Sequence, residues 1–301
     1  MAAKNPGPFK GLLIRTAGVL SSRYGVIYAC DPKRERRGEP HAYVFVWDDG
    51  QVERGDANYD AHSFCLIESP VQGSVDISET GYYTADSDDD RVTQDLFAHS
   101  APAPKTRRAR GLRSVREIDG WAHAIGLRGM VYRMDTFERW KRIDEGLPAS
   151  FDGHAIHGLG RSKLFAVGSA GQVWHSNGKT WRQEVVPTQE NLSAVVCAPD
   201  GTVYVAGRGG TLIRGTPGDW SLIEQTATRA DIWGLEWFAG KLFVSTLEGL
   251  FTLERAGLRP VDHGKHAPRS THQLSTREGV LWSIGETDIV EFDGKAWSRI
   301  V

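Results

Sequence analysis

The chain is 301 residues long, and its 36 basic and 38 acidic side chains leave a formal charge of −2. That balance excludes a globally basic nucleic-acid binder, and 40% apolar with 25% charged residues excludes wholesale disorder. Glycine (34) and tryptophan (10) are abundant while methionine (3) is scarce, a composition suited to many tight turns around a recurring aromatic.

At the N-terminus, Met1-Ala2-Ala3-Lys4-Asn5-Pro6-Gly7-Pro8 lacks the apolar core of a signal peptide. No later stretch approaches the roughly 18 apolar residues of a membrane span, so a cytoplasmic setting is expected. Cys30, Cys65 and Cys197 are widely spaced and odd in number, which predicts buried thiols and no disulfide framework. Apolar runs at 12–17, 26–29 and 42–47 predict strands, with an insertion at 32–40 whose Lys33, Arg34, Arg36 and Arg37 mark a long exposed loop or a partner contact. Thr80-Gly81 lies 39 residues before the hairpin turn Asp119-Gly120 and is followed by Tyr82-Tyr83-Thr84-Ala85, which predicts a second strand-rich unit near 61–105. Asp86, Asp88, Asp89 and Asp90 lack the glycine and closing glutamate of an EF-hand loop, so a solvated turn is expected. Lys105, Arg107, Arg108, Arg110, Arg113 and Arg116 carry no interleaved aromatics, which argues against a surface for single strands and for a charged connector, with an electrostatic docking patch as the alternative.

From residue 111 onward a period emerges. Leu164-Phe165-Ala166-Val167, Val203-Tyr204-Val205-Ala206, Leu242-Phe243-Val244-Ser245 and Leu281-Trp282-Ser283-Ile284 begin 39 residues apart, followed in register by Gly168, Gly207, Thr246 and Gly285. A second ladder, Trp140, Trp181, Trp220, Leu258 and Trp297, is spaced by 41, 39, 38 and 39. Asp119-Gly120, Arg161-Ser162, Asp200-Gly201, Ala239-Gly240 and Glu278-Gly279 sit where one hairpin must turn. Asn177-Gly178, Gly218-Asp219 and Asp293-Gly294 mark another. Each unit therefore reads as strand A, hairpin, strand B, loop, strand C, hairpin, strand D.

Four antiparallel strands per unit of about 40 residues is the pattern of a β-propeller blade. The expected fold is all-β: one propeller domain over 1–301, with irregular blades in 1–110 and five regular ones in 111–301. Seven blades is the preferred count, against six plus an N-terminal cap. The first and last blades would close the ring by packing, without a shared strand. The ladder aromatics would fill the wedges between blades, each burying about 150–250 Å².

The segments Ser176-Asn177-Gly178-Lys179-Thr180-Trp181 and Asp293-Gly294-Lys295-Ala296-Trp297 are similar to an Asp-box ending in Gly-x-x-Trp. Through them, residues 111–301 resemble the bacterial WD-repeat/YVTN/BNR-like propellers. The first copy lacks the box aspartate, and the His-Asp-Trp features of WD repeats are absent. The resemblance implies a propeller that serves as a binding platform, as in adaptors, assembly factors and immunity proteins against bacterial toxins.

In such propellers the D–A and B–C connections share the face around the channel mouth. Here they would be 145–157, 186–192, 225–233 and 262–272, together with Leu127-Arg128, Ser169-Ala170, Arg208, Leu247-Glu248 and Glu286-Thr287; the acidic run would be a B–C loop as well. That face is expected to offer Asp152, His154, His157, Arg208, Arg229, Asp231, Trp233, His263, His266, Arg269 and His272 to a protein partner, since Arg and Trp favour interface hot spots. No Gly-x-Ser-x-Gly, His-Glu-x-x-His, Walker loop or dinucleotide fingerprint is present, so no catalytic residue, cofactor or metal site is assigned. The leading expectation is a monomeric, non-enzymatic immunity protein that binds and neutralises a toxin domain. Two rivals are an assembly or scaffold factor, and a hydrolase or lyase using a metal held by the five loop histidines.

Overall fold

Residues 7–98 and 111–301 are described in a computed structural model. They form seven four-stranded antiparallel sheets, each contiguous in the chain. Blade 1 comprises β1 (Leu13–Ser21), β2 (Tyr24–Cys30), β3 (Ala42–Asp48) and β4 (Gln51–Ala57). Blade 2 comprises β5 (Ser63–Ile67), β6 (Gly73–Ile77), β7 (Tyr82–Asp86) and β8 (Arg91–Asp95). Blade 3 holds β9 (Leu112–Ile118), β10 (Trp121–Gly126), β11 (Val131–Thr136) and β12 (Arg139–Arg142). Blade 4 holds β13 (Gly153–Gly158), β14 (Leu164–Gly168), β15 (Val173–Ser176) and β16 (Trp181–Glu184). Blade 5 runs through β17 (Leu192–Cys197), β18 (Val203–Gly207), β19 (Leu212–Thr216) and β20 (Asp219–Leu222). Blade 6 follows with β21 (Ile232–Phe238), β22 (Lys241–Thr246), β23 (Gly249–Glu254) and β24 (Gly257–Pro260). Blade 7 ends the ring with β25 (Gln273–Arg277), β26 (Val280–Ile284), β27 (Ile289–Phe292) and β28 (Trp297–Arg299).

The first strand of each blade packs against the first strands of both neighbours, and β1 meets β25 to close the circle. No strand is shared at that seam, as the sequence predicts. Seven apolar clusters result, each filled by two adjacent blades; Ile118, Ile125 and Val131 of blade 3, for example, meet Ile156, Leu164 and Trp181 of blade 4. The ladder residues Trp140, Trp181, Trp220, Leu258 and Trp297 all lie on the outermost strands. They pair with Met134, Ser176, Gly215, Leu253 and Phe292 on the third strands. Trp181 is buried, whereas Trp140, Trp220 and Trp297 are half-buried. All three cysteines are buried and free.

The N-terminal third departs from expectation in four places. Thr80-Gly81 lies between β6 and β7, a B–C connection, and does not correspond to Asp119-Gly120 between β9 and β10. The acidic run belongs to the C–D hairpin after β7, so it faces away from the B–C loops. Within the 32–40 insertion, 32–36 form a one-turn helix, α1 (Pro32–Arg36), started by Pro32 and by Asp31, whose side chain accepts from Lys33 N at 2.7 Å. Of the basic stretch, Lys105, Arg107, Arg108 and Arg110 lie outside the described residues, while Arg113 and Arg116 are on the inner strand β9 rather than in a connector.

Candidate functional site at the channel mouth

Five of the seven inner strands open with the same irregularity, and the other two have its counterpart just ahead of them. In β13, Gly153 pairs with Gly168 and Ala155 with Val167, so His154 is the extra residue of a β-bulge. Arg15, Arg113, Ser193 and Trp233 hold the same place in β1, β9, β17 and β21. His62 and His272 do so just ahead of β5 and β25, their backbone N–H groups donating to Ile77 O (2.8 Å) and Ile284 O (2.9 Å). Close approach explains the recurring glycine opposite: a Cβ on Gly168 or Gly207 would stand 2.0 Å from the carbonyl oxygen of Asp152 or Asn191. A bulge re-aims its side chain, and here seven bulge-position residues, one per blade, surround the mouth.

They line a cavity of about 480 Å³ formed by the opening residues of all seven inner strands. Its walls carry three arginines (Arg15, Arg113, Arg116), three histidines (His62, His154, His272) and Trp233; among the described residues no carboxylate lines it. Arg116 Nη2 donates to Glu236 Oε2 at 2.9 Å, joining β9 of blade 3 to β21 of blade 6 across the channel. The facing carboxylate raises the Arg116 pKa, and this pair forms the floor. Beyond it lies a second space of about 160 Å³ that includes His157. Burial pushes the His157 imidazole down to about 3, and its Nδ1 accepts from Cys197 N at 3.3 Å, so it is neutral.

The upper arginines are held from outside the cavity. Glu35 of α1 pairs with Arg15, so the insertion helix braces the mouth, and Glu79 accepts from Arg113 Nη1 at 2.6 Å. Burial lowers the pKa of both His62 and His272. Thr16 Oγ1 and His272 Nδ1, both buried, have no partner among the described residues.

The expected site residues divide into three groups. His154, His157 and Trp233 are on inner strands and not in loops, because the D–A connections end earlier than predicted; His272 abuts β25. Asp152 and Asp231 pin loops, accepting from Arg128 N (3.1 Å) and Gly209 N (2.8 Å). Arg208, Arg229 and Arg269 are exposed, His266 is half-buried, and His263 packs on Trp297 at 4.4 Å. The five histidines are thus split between wall, deep channel and outer loop. Among the described residues no group of three or more His, Cys, Asp or Glu is placed to hold a metal. Exposed large apolar side chains favour the mouth face: Tyr82, Val185, Leu222, Trp233 and Leu247 lie there, against Val71 and Leu159 on the other.

No protein-family model matches the chain. The immune protein Tsi7 of Pseudomonas aeruginosa (strain PAO1) is 35% identical over 275 residues, spanning 86% of this chain and 88% of Tsi7. The chain belongs to the Tsi7 family of immune proteins. Solved propellers align with this Tsi7-family chain at low identity and show the fold alone. YCF48 bound to a D1 peptide gives a TM-score of 0.67 at 15% identity, over 96% of this chain and 97% of that one. The WD40 propeller of Doa1 gives 0.65 at 10% over 96% and 92%. Virginiamycin B lyase from Staphylococcus aureus gives 0.63 at 12% over 78% and 83%. The propeller part of the sequence resemblance therefore holds.

Arg15, His62, Arg113 and Ser193 of the mouth, and the Arg116–Glu236 floor, are not singled out by the sequence as site residues of this Tsi7-family member. A signal existed: Arg113, His154, Ser193, Trp233 and His272 recur at spacings of 41, 39, 40 and 39. Each precedes a mostly small or polar residue and then an apolar one.

Proposed function

We propose that the protein neutralises a cognate toxin by binding it on the face around the channel mouth, acting as one propeller domain over 1–301, monomeric by itself and cytoplasmic. The family relationship to Tsi7 carries this reading. The mouth face adds a half-exposed tryptophan beside arginines and a concentration of exposed apolar side chains, the chemistry of interface hot spots. Trp233 anchors the contact, with Arg208, Arg229, Asp231, His266 and Arg269 around it and Asp152, His154, His263 and His272 setting loop and wall shape. His157, below the floor, supports the channel.

The test is co-expression with toxin domains drawn from the genes neighbouring its own. The wild-type protein is expected to restore growth and to co-purify with one of them. Trp233→Ala should weaken that complex by about ten- to a hundredfold, the cost of losing a hot-spot anchor, with unchanged thermal unfolding. Undiminished affinity in Trp233→Ala would move the interface elsewhere, and absence of any protected toxin would sink the reading.

A further inference from the structure

The mouth cavity is one-sided in charge. Three arginines and three histidines line it and, among the described residues, no carboxylate does, although acidic residues slightly outnumber basic ones in the chain. The carboxylates that hold the arginines stand behind them: Glu35, Glu79 and Glu236 are all absent from the cavity wall. Among the described residues, Arg113 commits only Nη1 and Arg116 only Nη2 to these pairs. A guanidinium has five donors in a planar fork, so each keeps donors suited to a second carboxylate. Thr16 and His272 are lining residues whose Oγ1 and Nδ1, both buried, have no hydrogen-bond partner among the described residues.

We propose that the mouth is a socket for a carboxylate-bearing segment of the bound toxin, whose acidic side chains enter between Arg15, Arg113 and Arg116. This rests on the toxin-binding reading and adds the chemistry of the partner. About 480 Å³ lies within the roughly 300–1,000 Å³ range of ligand pockets and is more than a single inorganic anion fills. The rim favours a polypeptide too: Trp233 presents a half-exposed indole where the backbone of an inserted segment would pass. The Arg116–Glu236 floor stops the segment from threading through. Because the arginines are pre-positioned by Glu35, Glu79 and Glu236, little ordering cost remains at binding.

The experiment uses the full chain and a capped tetraglutamate peptide, with capped tetraglutamine and inorganic phosphate alongside, read by calorimetry at low and moderate salt. Tetraglutamate should bind, weaken severalfold as salt rises and exceed both comparators at least tenfold. Arg113→Gln should lose at least tenfold in affinity. Arg113 also pairs with Glu79, so a second contrast leaves every arginine intact: Trp233→Glu should bind tetraglutamate at least tenfold more weakly than Trp233→Gln. Equal binding of tetraglutamine, tighter binding of phosphate, or equal affinity in the two Trp233 variants would each overturn the socket. A wild-type protein that neutralises its toxin yet ignores tetraglutamate would keep the proposed function and lose this inference.

Discussion

At the scale of single residues, the joint between blades 1 and 2 holds a buried acid. Asp76 on β6 is buried and accepts from Tyr28 OH (2.9 Å) and Tyr59 OH (2.6 Å). Burial raises its pKa from 3.8 to about 6, against the opposing pull of the two phenols. A raised carboxyl inverts the usual acid response. Below about pH 4 the group is protonated in the folded and unfolded chains alike, and its favourable contribution is complete. Between about 4 and 6 the folded protein holds a proton that the unfolded chain has released, so stability falls as pH rises. Unfolding in urea at several pH values should show the wild type losing about 2–3 kcal/mol relative to Asp76→Asn between pH 4 and 7. Parallel profiles for the two proteins would show that Asp76 titrates normally.

At the scale of elements, the outer-strand ladder explains why the sequence is readable where it is. Trp181 Nε1 donates to Ile143 O at 2.7 Å and Trp220 Nε1 to Glu184 Oε2 at 3.0 Å, so each reaches back to the preceding blade. The wedge between two blades is the same shape each time, and one large side chain recurs at one spacing. Truncation should follow burial. Trp181→Ala, at a buried site, should cost about 3–5 kcal/mol in chemical unfolding, and half-buried Trp220→Ala distinctly less. Equal costs would deny the wedge role. In blades 1 and 2 the ladder position holds Val52 and Val92, paired with Trp47 and Ala85, so the aromatic signal vanishes there. Blade 2 also turns from β5 to β6 through Glu68-Ser69-Pro70-Val71-Gln72 instead of a glycine hairpin, which is why Thr80-Gly81 mimics a turn it does not make. The mouth ring kept its spacing but not its residue type, and type is what a motif needs. The floor pair was invisible for another reason: Arg116 and Glu236 are 120 residues apart, and only closure of the ring brings them together.

For the whole molecule the decisive feature is the seam between blades 7 and 1. A ring without a shared strand has no ladder of backbone bonds to hold it shut, so side chains and a few backbone contacts must do so. The Gln273 amide bridges Ala17, accepting from its N–H at 3.3 Å and donating to its carbonyl at 3.2 Å, while Ile14 N donates to Glu286 O at 2.7 Å. Glu291 on β27 is the central clasp. Its carboxylate accepts from Ser22 Oγ (3.0 Å), Arg23 N (2.8 Å) and Trp282 Nε1 (2.9 Å), tying the β1–β2 hairpin to the last blade. Around it, fully buried Trp282 fills the space beside Gly25, where a Cβ would come within 2.4 Å of the indole. Glu291→Ala would leave the buried Trp282 N–H unpaired and release the hairpin, at a cost of about 3 kcal/mol. The loss should be local. Opening at the seam breaks no sheet, whereas the other six junctions retain their chain connections. Hydrogen exchange in Glu291→Ala should therefore accelerate in β1, β2, β26 and β27 while blades 4 and 5 keep wild-type protection. Uniform acceleration around the ring would instead mean that the propeller opens as one cooperative unit, with no weakest joint.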